Sequence, residues 1–160
     1  MAIIVNAIIC TYQRRKAITE WEKAQNGFLY DANYDEEIVE ARKRCADLCY
    51  EFNNCRPLDI NKQRELLNAI FGSIKENPVI TAPFYCDYGF NIFIGKNFYT
   101  NHNVTILDGA KVTIGDNVFI APTCVLSTAW HAIDSEQRIS WLEIALPITI
   151  GDNVWIGANV

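Results

Sequence analysis

Two histidines occur in the 160 residues, His102 and His131. A neutral imidazole can take a proton from a hydroxyl near neutral pH, so either could act as a general base. His131 stands out by its setting. The stretch Leu126-Ser127-Thr128-Ala129-Trp130-His131-Ala132-Ile133-Asp134 interrupts an otherwise regular apolar pattern. Long departures from a rigid repeat scaffold tend to carry function. His102 is expected to face outward or toward a subunit contact. Six cysteines also invite chemistry. Cys45 and Cys49 are spaced as on one helix face, Cys55 follows, and Cys10, Cys86 and Cys124 are scattered. There is no C-x-x-C pair and no second cluster at zinc-like spacing. These thiols read as free and buried in a reducing cytoplasm, with no metal site.

Three helical segments precede the repeating region. Thr19-Glu20-Trp21-Glu22 has the form of a capping box, and Gly27 is a plausible stop. From about Asp35 to Phe52, the residues Ile38, Ala41, Cys45, Leu48, Cys49 and Phe52 recur three or four apart, one apolar helical stripe. A third helix is predicted from about Asn61 to Ile74, with Leu66, Leu67, Ile70, Phe71 and Ile74 inward. Asn77-Pro78 closes it.

After Pro78 the spacing changes from helical to a period of six. "TIGDNVFIA" (113–121) is echoed by "TIGDNVWIG" (149–157). Ile94, Thr100 and Ile106 are in phase, as are Ile114, Ile120 and Leu126, and then Ile150 and Ile156. This is the hexapeptide repeat of a parallel β-helix, in which three short sides make one triangular coil. Asp116-Asn117 and Asp152-Asn153 recur in phase and read as corner residues. The phase slips by two residues between Ile106 and Ile114. A larger slip separates Leu126 from Ile150, so residues from about Ser127 to Pro147 are expected to form a loop thrown out from a corner. The prism up to Val160 is expected to hold about three incomplete coils.

Half of the residues are apolar and 21% are charged, which fits one globular domain with a small helical appendage. The net charge of −5 offers no electrostatic footprint for nucleic acid. The apolar start "MAIIVNAIIC" is too short for a membrane span, and its basic cluster follows it rather than preceding it. A cytoplasmic protein without a membrane partner is therefore expected.

The sequence resembles the maltose, galactoside and related sugar O-acetyltransferases of the left-handed β-helix acyltransferases. The resemblance rests on "GFLYDANYDEE" with its following helix, "APFYCDYGFNIFIGKNFYTNHNVTILD", "VTIGDNVFIAPTCVLSTAWHAID" and "PITIGDNVWIG". It implies a mainly β fold: a left-handed parallel β-helix behind a small α-helical segment. The expected organisation is an extension at 1–18, a helical segment at 19–77 and the β-helix at 78–160. The resemblance also implies transfer of an acetyl group from acetyl-CoA to a sugar hydroxyl, without a metal, by a homotrimer with its sites between neighbouring prisms. His131 matches the catalytic base. Asp87, Asn101 and Asp108 match positions lining the acceptor pocket, with Tyr99 beside them. Glu143 matches a position near the histidine, and Arg42 and Asn33 fall near acceptor-contacting positions. A backbone N–H near Ala158 is the candidate oxyanion donor.

Each residue also has a plain structural reading. Asp87, Asn101 and Asp108 could cap turns, and Glu143 and Arg42 could be solvated surface charges. Relatives of this family continue beyond the position of Val160 with further hexapeptides. A coil ending there is expected to bind acetyl-CoA more weakly and to have impaired activity. The alternative function is thus an inactive hexapeptide protein with a structural role. A β-helical carbonic anhydrase is a third reading, but its site needs three histidines and only two are present. Serine and hexosamine acyltransferases would share the prism but not the helical segment or the T-A-x-H loop.

Overall fold

A threonine and a glutamate three residues apart start the first helix. In the computed structural model, which describes residues 18–160, α1 runs Glu20–Gln25. Thr19 Oγ1 accepts the Glu22 N–H at 3.1 Å, and Glu22 Oε2 accepts the Thr19 N–H at 2.7 Å. These two bonds make the expected capping box. Gly27, at φ 70°, ends the turn in a conformation that favours glycine. Strand β1 (Tyr30–Asp31) follows. Almost all of the expected extension, Cys10 included, lies outside the described residues.

Helix α2 (Glu36–Asn54) begins where the Asp35 carboxylate accepts the Ile38 N–H, and it buries Ile38, Ala41, Cys45, Cys49 and Phe52 on one stripe. Helix α3 (Ile60–Ile70) is capped by Asp59 and buries Leu66, Leu67 and Ile70. It stops short of the predicted Ile74. Phe71 is extended, and Ser73–Ile74 forms β2, paired in parallel with Phe93–Ile94. The backbone of Gly72 lies against the Phe90 carbonyl, where a Cβ would have no room. Helical spacing placed Ile74 on α3, but the first rung of the coil captures it.

The rest of the chain winds into the predicted parallel prism. One face holds β2, β5 (Ile92–Ile94), β8 (Val112–Ile114) and β13 (Ile148–Ile150). The second holds β3 (Val79–Ile80), β6 (Tyr99–Thr100), β9 (Phe119–Ile120) and β14 (Trp155–Ile156). The third holds β4 (Phe84–Cys86), β7 (Val104–Leu107) and β10 (Val125–Ser127). The described residues therefore contain three full coils and two faces of a fourth, more than the repeats suggested. Phe93 pairs with Thr113 and Tyr99 with Phe119, so one coil advances by twenty residues. The two residues beyond three hexapeptides are the phase slip seen between Ile106 and Ile114.

Ile94, Thr100, Ile106, Ile114 and Ile120 are buried inside the prism, each aliphatic side chain contributing roughly 1.5–3 kcal/mol. Leu126, Ile150 and Ile156 are partly buried against the same core. At one corner Asn77, Asn97, Asn117 and Asn153 all take φ between 52° and 60°. Asparagine tolerates this left-handed conformation. Their side-chain amides bond to one another in a ladder, at 3.2, 2.9 and 3.0 Å. Asn117 and Asn153 are thus corner residues, as expected.

The segment expected as a loop is ordered. It comprises β11 (Ala129–His131), α4 (Ser135–Ile139) and β12 (Leu142–Ala145). β11 and β12 pair antiparallel, and β1 pairs antiparallel with the other edge of β12. A period-six pattern has no means of indicating this small sheet, because its third strand comes from the helical segment.

Candidate active site

Register across the small sheet sets the first part of the site. Tyr30 stands opposite Glu143, and Glu143 opposite His131, in one row over β1, β12 and β11. Directly opposed residues share a face, with Cβ atoms about 4.5–5.5 Å apart. Glu143 is held from one side of the row. Its Oε2 accepts from the Tyr30 hydroxyl at 3.3 Å and its Oε1 from Asn33 Nδ2 at 3.5 Å. Asn33 Nδ2 also donates to the Trp141 carbonyl at 3.1 Å. Tyr30 is buried. Burial and then the neighbouring Glu143 charge push its phenol well above the ordinary value, so it stays a donor.

The second part comes from α2 and the residue after β4. Arg42, Asp87, Leu107, Ala129, Trp130, His131 and Glu143 line one cavity of about 360 Å³. Arg42 Nη2 donates to the Ala32 carbonyl at 2.8 Å and to the Tyr88 hydroxyl at 2.7 Å, which fixes the guanidinium at the cavity wall. Burial pushes the Tyr88 phenol up to about 12 despite the cation beside it. Burial also raises the Asp87 carboxyl, opposed by Arg42 and reinforced by the Glu143 charge.

Asp108 is fully buried below this wall. Its Oδ1 accepts the N–H groups of Asp87 at 3.1 Å and Tyr88 at 2.9 Å, while Oδ2 has no protein partner. Burial pushes its pKa up to about 6. Asp108 therefore supports the backbone that presents Asp87, and it is absent from the cavity lining.

Within this one chain, three candidates lie elsewhere. Tyr99 is on β6, its ring 6.2 Å from that of Phe119, on the second prism face. Asn101 follows β6 and its Oδ1 accepts the His102 N–H at 2.7 Å. Ala158 is exposed in the last turn, where the Val160 carbonyl accepts the Val125 N–H at 2.8 Å. His102 is exposed, as expected. Two residues that the sequence reading passed over, Tyr30 and Tyr88, are the ones that orient Glu143 and Arg42. Their signal was present only as tyrosines within stretches already marked by resemblance, with no spacing to tie them to their partners. A larger groove beside Trp21 and Phe90 holds Glu36, Glu37 and Glu40 but none of the predicted site residues.

The prism of hexapeptide coils, with an antiparallel sheet inserted beside it, is the fold of hexapeptide-repeat acetyltransferases. The maltose acetyltransferase hexapeptide capping motif matches residues 23–75. Galactoside O-acetyltransferase of Escherichia coli (strain K12) is 46% identical over 139 residues, covering 87% of this chain and 68% of its own length. The crystal structure of a maltose O-acetyltransferase from Clostridium difficile 630 superposes with a TM-score of 0.85 at 41% identity, over 90% of this chain and 76% of that one. A galactoside acetyltransferase in complex with coenzyme A gives a TM-score of 0.82 at 39% identity, over 89% and 74%. The chain belongs to the maltose and galactoside O-acetyltransferase family, and its prism is the left-handed parallel β-helix of that family.

Proposed function

We propose that this acetyltransferase moves an acetyl group from acetyl-CoA to a hydroxyl of a glucosyl or galactosyl acceptor, with His131 as general base. The observation that carries the reading is the shared cavity of His131, Glu143, Arg42 and Asp87. A sugar hydroxyl is too weakly acidic to attack a thioester unaided at neutral pH. A neutral imidazole takes its proton as the new C–O bond forms, and the imidazolium then needs an acceptor for its other N–H. Glu143, opposite His131 and held by Tyr30, is suited to that part. Arg42 and Asp87 offer a fixed donor and a fixed acceptor for acceptor hydroxyls. The coenzyme A complex of the galactoside acetyltransferase, whose fold this chain shares, supports acetyl-CoA as donor.

Tyr99 and Asn101 fit this reading through a homotrimer, in which the second prism face of one copy completes the cleft beside His131 of another. The exposed Val79, Phe119 and Trp155 on that face support a covered surface. The tetrahedral oxyanion would take a backbone N–H near Ala158. The five cysteines among the described residues are free, which suits a reducing cytoplasm. No helix among the described residues is long and apolar enough to cross a membrane.

The test is release of free CoA from acetyl-CoA in the presence of maltose, glucose or a galactoside, with His131→Ala measured in parallel. Acceptor-dependent release that disappears in the variant supports the reading. Release unchanged by the substitution removes His131 from its role. Sedimentation of the same protein distinguishes a trimer from a monomer.

A further inference from the structure

Beneath the cavity, α2 and β4 bring together three thiols that the acetyl-transfer reading does not use. Cys45 Sγ lies 3.5 Å from Cys86 Sγ, and Cys49 Sγ lies 3.8 Å from Cys86 Sγ. All three sulfurs fall within 4.8 Å of one another. Sulfurs bound at about 2.3 Å to one pyramidal, three-coordinate atom sit roughly 3.4–3.5 Å apart, so the Cys45–Cys86 pair already has this spacing and Cys49 has to move inward to join it. The sequence spacing conceals the cluster. Cys45 and Cys49 share a helix face, but Cys86 arrives from a strand 41 positions after Cys45.

The surroundings select among thiophilic ions. Cys45 and Cys49 are 2% and 3% exposed and belong to the main apolar core, with Phe52 and Phe84. Arg42, one helical turn from Cys45, is engaged by Ala32 and Tyr88. Three thiolates around a monovalent or divalent metal would leave net negative charge in this core, which is unfavourable without a paired cation. A four-coordinate metal would also want a fourth ligand. Among the described residues no other His, Cys, Asp or Glu joins the three. Trivalent arsenic bound to three sulfurs is neutral and three-coordinate, and its remaining lone pair needs no partner.

We infer that Cys45, Cys49 and Cys86 form a preorganised tris-thiol site for a trivalent arsenic species such as arsenous acid. Three As–O bonds break and three As–S bonds form. Each thiol proton leaves with one hydroxide as water, and no atom changes oxidation state. Cys86 immediately precedes Asp87 of the cavity wall, so the thiol cluster lies next to the cavity. Occupancy ties α2 to β4, the two elements that present Arg42 and Asp87. The inference is independent of the acetyl-transfer reading.

The experiment treats the full chain with sodium arsenite and measures native intact mass, free thiols and melting temperature. The expected result is a mass gain of one arsenic less three hydrogens, loss of three reactive thiols and a raised melting temperature. Cys86→Ser and Cys49→Ser should each lose the adduct and the thermal shift, while Cys124→Ser keeps both. If Cys49→Ser fails to fold, arsenic X-ray absorption on the wild-type adduct decides, with three sulfur neighbours expected. No adduct, an adduct that persists in Cys86→Ser, or one retaining an As–OH group would each overturn the inference.

Discussion

The prism and the small antiparallel sheet beside it are built on opposite principles. In the prism every rung repeats the one below it. Ile94 lies beside Ile114, and Thr100 beside Ile120, at a constant advance along the chain. In the small sheet nothing repeats. Its three strands come from two distant segments, and its key row of Tyr30, Glu143 and His131 is formed once. The prism supplies stability through many equivalent contacts, and on the proposed reading the sheet carries the chemistry through a few unequal ones. Substitutions should therefore separate cleanly into those that affect melting and those that affect turnover.

The largest expected separation is at His131. It is exposed, so His131→Ala should leave the melting temperature nearly unchanged while lowering kcat by about 10²–10⁴-fold, the range for loss of a general base. Steady-state kinetics with acetyl-CoA and a galactoside, alongside calorimetry, measure both. Ile106→Ala should do the reverse. Its side chain is fully buried, and its truncation should cost about 2–5 kcal/mol of unfolding free energy in a denaturant titration. An Ile106→Ala protein as stable as the wild type would break the assignment of stability to the inner rungs.

Asp108, buried beneath the cavity wall, should give a pH signature. Its folded pKa of about 6 lies above the ordinary 3.8, so the folded chain holds an extra proton between those values. Stability from this group is present at low pH and is lost as pH rises from about 4 to about 6, by on the order of 1–3 kcal/mol. Unfolding of Asp108→Asn compared with wild type across that window should show a smaller loss in the variant, the remainder coming from groups such as Asp87. The smallest effect is expected at Tyr30→Phe. It removes one 3.3 Å hydrogen bond to Glu143, worth about 0.5–1.5 kcal/mol, and should lower kcat/KM by roughly 2–10-fold. An unchanged kcat/KM would remove Tyr30 as the residue that positions Glu143.

The two regions differed just as much in how readable they were. Period-six spacing identified Ile94, Thr100, Ile106, Ile114 and Ile120 as inward, because each coil face reuses one local rule. It could not assign Ile74, where helical spacing and the first rung competed and the rung prevailed. The break at Ser127 was visible as a loss of period, but its antiparallel order was not, since a hairpin completed by a remote strand leaves no local period. Cys45 and Cys49 were legible as a helical pair. Cys86 joined them only through packing of α2 on β4.

The sequence by itself determined the coil, its asparagine corners, the capped α1 and the place where the repeat lets go. Each follows from spacing or from a residue's own conformational preference. Only the tertiary structure decided that Glu143 faces His131 and is held by Tyr30, and that Arg42 is fixed by Tyr88. It also decided that Asp108 accepts the N–H groups of Asp87 and Tyr88, and that Tyr99 and Asn101 lie on another face. Those outcomes depend on which distant segments pair and in what register, and pairing is settled by the burial and hydrogen bonding of the whole chain at once.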